Sequence, residues 1–242
     1  MKKIVVLLVI IFLIIFVVRR HDDELQMTVN VQAAASMQNA LSEIEDNFEN
    51  SGFDIEINYG GSGMLVTQIQ EGAPADIFIS ASIDNFEALK KTNSLVEETI
   101  LVDNQLVLIT AKNSSISTLA EANTIAIGTP QSVPAGAYAL EVIDYLGVEA
   151  ATKDKLVQAK DVTEVLTYVE TGNADVGFVY NTDMIASSEV KVIDEYDNTM
   201  HSPISYPLGL LTDDPAARAF YEYLQSNEAI SIFEKYGFTN HE

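Results

Sequence analysis

Residues 60–81 read GGSGMLVTQIQEGAPADIFISA, and this stretch decides the fold. It opens on a glycine-rich turn, Gly60 to Gly63, continues as a short helical pattern and ends in an apolar strand, Asp76 to Ala81. An alternating strand, Ile55 to Tyr59, precedes the turn. A helix placed between two strands in this way is the βαβ unit of an α/β protein.

The same alternation of strand and helix continues along the chain. Helical patterns follow Ser36, begin with Pro134 at a first helical position, and run from Asp161 to Glu170 behind a D-x-x-E capping box. We therefore predict an α/β fold with mostly parallel sheets flanked by helices. Further strands are expected at Met27–Ala34, Leu106–Thr110, Ile125–Gly128, Val176–Tyr180, Val190–Ile193 and Tyr206–Leu211.

Two apolar runs divide the folded part of the chain. The runs at 106–110 and 206–211 bracket a block of about 100 residues with its own αβ pattern. We interpret them as hinge crossings between a first lobe, 27–105 with 207–242, and a second lobe, 106–206. Ligands of such folds bind at the carboxyl ends of the strands, where helix N-termini point, so a ligand cleft is expected between the lobes.

Residues 1–26 form a separate N-terminal segment. Lys2 and Lys3 precede an unbroken apolar run of 15 residues, Ile4 to Val18, and Arg19 follows the run soon after. This is the pattern of a secretory signal, and it is shorter than the ~20 residues of a full membrane span. No small-x-small cleavage site follows, so an uncleaved signal anchor is favoured over a cleaved signal. In both cases the folded part is expected outside the cytoplasmic membrane, either tethered to its outer face or released.

Composition excludes several classes of function. The net charge of −23 argues against a nucleic-acid partner, which requires a basic surface. The absence of cysteine excludes disulfides, thiolate catalysis and a lipid anchor on cysteine, and the three histidines are too scattered for a metal site. Catalysis is not predicted either: Met64 breaks the G-x-S-x-G pattern at Ser62, and the S-x-x-K at Ser188–Lys191 has no accompanying K-T-G.

Short segments at four expected helix starts point to an anion site. They are Ala33–Ser36, Gly60–Gly63, Val133–Gly136 and Asp161–Glu164, and each offers backbone N–H groups that a helix leaves unsatisfied. A fifth segment ends in the phenol of Tyr180, which can donate one more hydrogen bond. Taken singly, each of these residues is more often structural; Ser36, for example, is expected to cap its helix.

In their order and spacing, these segments resemble the molybdate-binding proteins of ABC uptake systems, which have the type II periplasmic-binding fold. The resemblance covers roughly residues 27–238. The motifs that carry it are AAASMQNAL from Ala33, residues 60–81 quoted above, VPAGAYA from Val133, ETGNADVGFVY from Glu170 and IFEKYGF from Ile232.

The resemblance implies capture of molybdate, and of tungstate with it, by neutral donors and without a cofactor. It implies hydroxyl and N–H donors at two serines, backbone N–H donors at two further positions and one phenol donor, and these positions are Ser36, Ser62, Ala135, Val162 and Tyr180. The implied partners are a membrane permease and its cytoplasmic ATPase, with the protein expected to be a monomer. Gly63 departs from the family pattern, since it can offer an N–H but no hydroxyl.

A lining made only of donors favours a fully deprotonated dianion, because hydrogen phosphate needs an acceptor for its proton. Rejection of the smaller sulfate would depend on the size of the cavity. A protein of the same fold that binds sulfate, phosphate or another oxyanion therefore remains the alternative. Asp76 is expected to brace a lobe and is given no ligand role.

Overall fold

The computed structural model describes residues 27–48, 53–185 and 187–241. The strands are β1 (Met27–Ala34), β2 (Phe53–Gly60), β3 (Ile77–Ile79), β4 (Glu97–Asp103), β5 (Leu106–Ala111), β6 (Ile125–Gly128), β7 (Leu156–Ala159), β8 (Val176–Tyr180), β9 (Val190–Tyr196) and β10 (Ser205–Leu210). The helices are α1 (Gln38–Asn47), α2 (Ser62–Gln70), α3 (Ile83–Lys90), α4 (Pro134–Tyr145), α5 (Glu149–Thr152), α6 (Val162–Glu170), α7 (Asn181–Ile185), α8 (Pro215–Leu224) and α9 (Asn227–Lys235).

The predicted signal or anchor, residues 1–26, lies outside the described part of the chain. Across the residues that are described, no helix combines the length and the apolar character required to cross a membrane.

The strands form two five-stranded sheets. The first has the order β2-β1-β3-β10-β4, and the second has the order β7-β6-β8-β5-β9. In each sheet the strands of the βαβ units pair in parallel, whereas β10 and β5 run antiparallel to both of their neighbours. The predicted α/β class is confirmed, but the sheets are mixed where mostly parallel ones were expected.

The antiparallel strands have a simple physical origin. A parallel pair needs a crossover connection, and the strand–helix alternation correctly predicts those pairs. By contrast, β5 follows β4 of the other sheet after only Asn104 and Gln105, and β10 enters the first sheet from β9 of the second. No helix imposes a direction on a strand that arrives from the other sheet, so local alternation carries no information about its orientation.

Two strands, β4 and β7, were not predicted. Both lie at the edge of a sheet, and each has only a short apolar run: Ile100 to Val102 in β4, and Leu156 with Val157 in β7. A run of two or three apolar residues is too short to predict a strand from its pattern.

The chain passes between the two sheets at 104–105 and again at 197–204. The predicted crossings, near 106–110 and 206–211, fall on β5 and β10, the strands that directly follow these two connections. An apolar run indicates the interior of a strand and not the connection before it. The C-terminal part returns to the first sheet, where Thr239 forms an antiparallel bridge with Asp103.

Side chains outside the cleft secure the first sheet. The carboxylate of Asp76 accepts hydrogen bonds from the backbone N–H of Asn30 at 2.8 Å and from the hydroxyl of Thr212 at 3.0 Å. It thereby ties β1 to the segment after β10, which is the bracing role expected for it.

Helix α4 approaches the end of β6 through a pair of glycines. Pro134 occupies its first turn as predicted, and the backbone at Gly136 packs directly on Gly128. A Cβ built on Gly136 would collide with the carbonyl oxygen of Gly128, which belongs to backbone and cannot rotate away. Glycine at position 136 therefore sets how close the start of α4 comes to the sheet.

We expect Gly136→Ala to lower the free energy of unfolding by about 3 kcal/mol or more, because overpacking against backbone forces the helix to move. Helix propensity alone predicts the opposite sign, since alanine is favoured over glycine by ~1 kcal/mol. Urea unfolding measures the difference. Ala137→Gly, one residue further along the same helix, is the control and should cost only about 1 kcal/mol. A Gly136→Ala protein as stable as the wild type would contradict this account.

Candidate functional site

A small cavity lies where the carboxyl ends of strands from both sheets meet the starts of helices. Its volume is about 10 Å³, close to the space of one water molecule. It is therefore nearly closed in this conformation. The lining residues are Ala34, Ala35, Ser36, Gly60, Gly61, Ser62, Ala81, Val133, Pro134, Asp161, Val162 and Tyr180.

Ser36 lines this cavity, but it does not cap its helix as predicted. It lies inside a 3-10 turn, Ala35–Met37, that runs into α1. Its hydroxyl is instead 2.8 Å from the phenol oxygen of Tyr206 on β10. The side chain is bound to a distant strand and cannot fold back onto the first turn of its own helix, and this contact could not be seen from the local sequence.

Ser62 is the first residue of α2 and is buried at the cavity. Its oxygen accepts a hydrogen bond from the backbone N–H of Ala81 at 2.9 Å. Because that N–H supplies the proton, the hydroxyl hydrogen of Ser62 is free to point elsewhere. Its backbone N–H also has no partner within the helix, as holds for any first-turn residue.

The two predicted backbone donors lie in the first turns of α4 and α6. Val162, directly after the cap residue Asp161, lines the cavity. Ala135 does not line it, although the two residues before it, Val133 and Pro134, do. Half of the predicted capping box forms, with the side chain of Asp161 accepting from Glu164 N–H at 2.8 Å. The carboxylate of Glu164 accepts from the N–H of Lys160 at 2.7 Å, one residue before the cap.

Tyr180 ends β8 and faces the same cavity. Its side chain is 1% exposed, and its hydroxyl has no hydrogen-bond partner among the described residues. Burial raises the pKa of this phenol well above its usual value, so the hydroxyl keeps its proton. A buried donor without a partner is costly unless a ligand satisfies it.

Contacts across the cleft hold the two sheets together in this closed arrangement. The backbone N–H of Gly63 donates to the carbonyl of Ser132 at 3.0 Å, and the hydroxyl of Tyr138 donates to the carbonyl of Ala81 at 3.3 Å. The N–H of Gly63, expected from the sequence to remain available to a ligand, is therefore already used. A Cβ on Gly63 would lie 3.0 Å from the Cα of Ser132, which explains how glycine permits the approach.

Among the described residues, the charge at the cavity lining is negative. Among the described residues of the lining, Asp161 carries the single ionisable carboxylate, and no lysine or arginine is present. An anion in the cavity must therefore be held by hydrogen-bond donors and helix dipoles. Asp161 also adds an acceptor at a site that we expected to contain donors only.

A buried carboxylate lies directly behind Tyr180. Asp183, in the first turn of α7, is 7% exposed and accepts a hydrogen bond from the backbone N–H of Tyr180 at 3.0 Å. Burial raises the pKa of Asp183 to about 7, although that hydrogen bond works in the opposite direction. No feature of the sequence around Asp183 distinguishes it from the many exposed acidic residues.

The pKa of Asp183 implies a dependence of stability on pH. The folded-state pKa is raised from the model-peptide value of about 3.8 to about 7. The folded protein thus keeps a proton that the unfolded chain has already lost between these two pH values, so stability should fall as pH rises through this window. We expect Asp183→Asn to remove this decline, which amounts to a few kcal/mol.

Urea unfolding between pH 4 and 8 compares the wild type with Asp183→Asn. Asp84→Asn, which removes an exposed carboxylate from the first turn of α3, controls for the change in net charge and should keep the wild-type slope. Identical slopes for the wild type and Asp183→Asn would show that Asp183 titrates normally.

Comparison with known proteins gives a consistent family assignment. The chain matches the family of bacterial extracellular solute-binding proteins over residues 29–239. YvgL of Bacillus subtilis (strain 168), a lipoprotein provisionally named as an ABC transporter substrate-binding protein, is 49% identical over 230 residues, which cover 90% of this chain and 88% of YvgL. The molybdate-binding protein ModA of Escherichia coli (strain K12) is 34% identical over 227 residues, 87% of this chain and 88% of ModA.

The solved structure of the periplasmic molybdate-binding protein of Azotobacter vinelandii superposes with a TM-score of 0.79. The alignment covers 88% of this chain and 100% of that protein at 23% identity, so it bears on the fold alone. The two mixed sheets flanked by helices match its type II periplasmic-binding fold, and the resemblance seen in the sequence is confirmed. The chain is therefore a member of the bacterial extracellular solute-binding protein family.

Proposed function

We propose that this protein captures molybdate, and tungstate with it, for an ABC importer. The observation that carries the proposal is the buried hydroxyl of Tyr180, which faces the cavity without a partner beside two serine hydroxyls. These groups, together with first-turn N–H groups such as that of Val162, form a set of neutral donors around one small space. The molybdate-binding relatives described above support the choice of ligand.

Neutral donors can hold a dianion because each hydrogen bond to it is assisted by charge. Such bonds are about twice as strong as those between neutral groups. Helix N-termini add the favourable end of the helix dipole, and a dry cavity screens neither contribution. A cationic side chain is therefore unnecessary, and the proposed ligand set remains Ser36, Ser62, Ala135, Val162 and Tyr180.

The proposed mechanism is closure of two lobes, 27–105 with 207–242 and 106–206, over the anion. Ser36 and Ser62 belong to the first lobe, whereas Val162 and Tyr180 belong to the second. The bond between Gly63 and Ser132 supports this picture, because it joins the lobes next to the proposed ligand groups. An anion that contacts both lobes would favour the closed state over any open one.

The location and the partners of the protein follow from the proposed role in uptake. We expect the folded part to act outside the cytoplasmic membrane as a monomer, tethered through residues 1–26 or released after cleavage. It would deliver the anion to a membrane permease that a cytoplasmic ATPase drives. Membership of an extracellular solute-binding family supports the location.

Calorimetric titration with molybdate, tungstate, sulfate and phosphate tests the ligand. We expect tight binding of molybdate and tungstate alone, and Tyr180→Phe should weaken it roughly 10- to 100-fold, since a hydrogen bond to a charged group contributes ~1.5–3 kcal/mol. The ligand-free protein should lose no stability in this variant, because the hydroxyl has no partner to lose.

Tyr196→Phe is the control, since it removes another buried phenol hydroxyl, on β9 and away from the cavity lining, and it should leave affinity unchanged. Tight binding of sulfate or phosphate in place of molybdate would favour the alternative ligand within the same fold. Absence of binding to all four anions would contradict the proposed function.

Closure is tested separately by Gly63→Ala. In the closed arrangement the added methyl would lie 3.0 Å from the Cα of Ser132 in the other lobe, and overpacking typically costs ~1–3 kcal/mol. Affinity for molybdate should therefore fall roughly 10-fold while the stability of the ligand-free protein changes little. Ser132→Ala alters the facing residue but keeps its carbonyl, and it should bind as the wild type does; equal affinities for all three proteins would argue against closure through this contact.

A further inference from the structure

We infer that a chain of hydrogen bonds from Asn104 through Tyr206 forces Ser36 to act as a donor, and that Tyr206 is thereby a positioning residue that selects unprotonated oxyanions. The inference rests on the proposed function and extends it from the ligand contacts to what orients them. Neither Asn104 nor Tyr206 lines the cavity.

The chain begins at a group whose role is fixed. The backbone N–H of Gln105 can only donate, and it bonds to Oδ1 of Asn104 at 2.8 Å. The amide nitrogen of Asn104 must therefore point the other way. Its two hydrogens reach the hydroxyl oxygen of Thr182 at 3.0 Å and the phenol oxygen of Tyr206 at 3.1 Å.

Tyr206 transmits this polarity to the cavity. Its side chain is 0% exposed, and its oxygen accepts from Asn104 and lies 2.8 Å from Ser36 Oγ. Either hydroxyl of this pair can donate at that distance, but if Ser36 donated, the buried phenol hydrogen would have no acceptor among the described residues. The arrangement that satisfies both groups therefore has Tyr206 donating to Ser36. Burial raises the pKa of Tyr206 well above the usual phenol value, so the hydrogen stays in place. Ser36 accepts from Tyr206 and must direct its single proton elsewhere, and the cavity is what it faces.

The hydroxyl of Ser62 is also oriented as a donor, by a separate hydrogen bond. Its oxygen accepts the backbone N–H of Ala81 at 2.9 Å, which again leaves the hydroxyl proton for the cavity. The two serines come from different strand–helix junctions. In both cases the hydrogen bonds that orient the hydroxyl as a donor begin at a backbone N–H. A serine without such a partner could rotate and accept a proton from the ligand instead.

The donor orientation of the two serines affects which anions the cavity can bind. Molybdate and sulfate are fully deprotonated near neutral pH, whereas phosphate retains at least one proton that must be accepted. Each serine directs its proton at the cavity and has one lone pair already in use. The carboxylate acceptor on the described lining, Asp161, already receives the N–H of Glu164 at 2.8 Å. Freeing Ser36 should therefore relax discrimination against phosphate.

The test is calorimetric titration of the wild type, Tyr206→Phe and the control Tyr196→Phe with molybdate, sulfate and phosphate at pH 7. In Tyr206→Phe, the affinity for molybdate should fall about 10-fold while that for phosphate stays constant or rises, so that the ratio of the two affinities drops at least 10-fold. Any affinity for sulfate should fall together with that for molybdate. Tyr196→Phe loses a buried hydroxyl that takes no part in this series of hydrogen bonds, so it should keep all wild-type affinities.

Asn104→Leu provides a second route if Tyr206→Phe does not fold. It removes the donor to Tyr206 without adding charge, and the ratio should move in the same direction by a smaller factor. Equal weakening of every anion in the folded variants, or no change, would overturn the inference while leaving molybdate binding by the wild type intact. A wild-type protein that fails to bind molybdate would instead contradict the proposed function itself.

Discussion

Backbone N–H groups that their own helices cannot satisfy are the constraint on which this site depends. Every α-helix leaves its first N–H groups without an internal partner, and this fold aims several such helix starts at one point. The parallel βαβ units make that possible, because the carboxyl ends of β1, β2 and β8 meet at the cleft. The first-turn residues Ser62 and Val162 consequently bring backbone N–H groups without helical partners to the cavity.

Much of this arrangement could be predicted from the chain. The alternation of apolar strands and helices identifies the βαβ units, and the carboxyl-end rule then places the segments that follow the strands at a common cleft. The family resemblance implied Ser36, Ser62, Val162 and Tyr180 within those segments, and all four line the cavity. Ala135, implied by the same resemblance, does not line the cavity.

What could not be predicted are contacts between residues distant in sequence. Tyr206 reads as one apolar residue of a strand, and nothing near it indicates that its hydroxyl meets Ser36. The cap expected at Ser36 is wrong for the same reason, since a tertiary partner displaced a local one. The edge strands β4 and β7 were not predicted because their apolar runs are only two or three residues long. The direction of the antiparallel strands was not predicted because it is set by the path between the sheets.

The unequal length of the two connections between the sheets has a mechanical consequence. One connection is only Asn104 and Gln105, and the other spans 197–204. A two-residue link permits rotation but very little separation, so any relative motion of the sheets has its axis close to Asn104. Groups near a rotation axis move least, and Ser36, Tyr206 and Asn104 would therefore keep their mutual geometry throughout. An arriving anion would meet this half of the site already assembled, and its rate of escape would be governed by the half that swings.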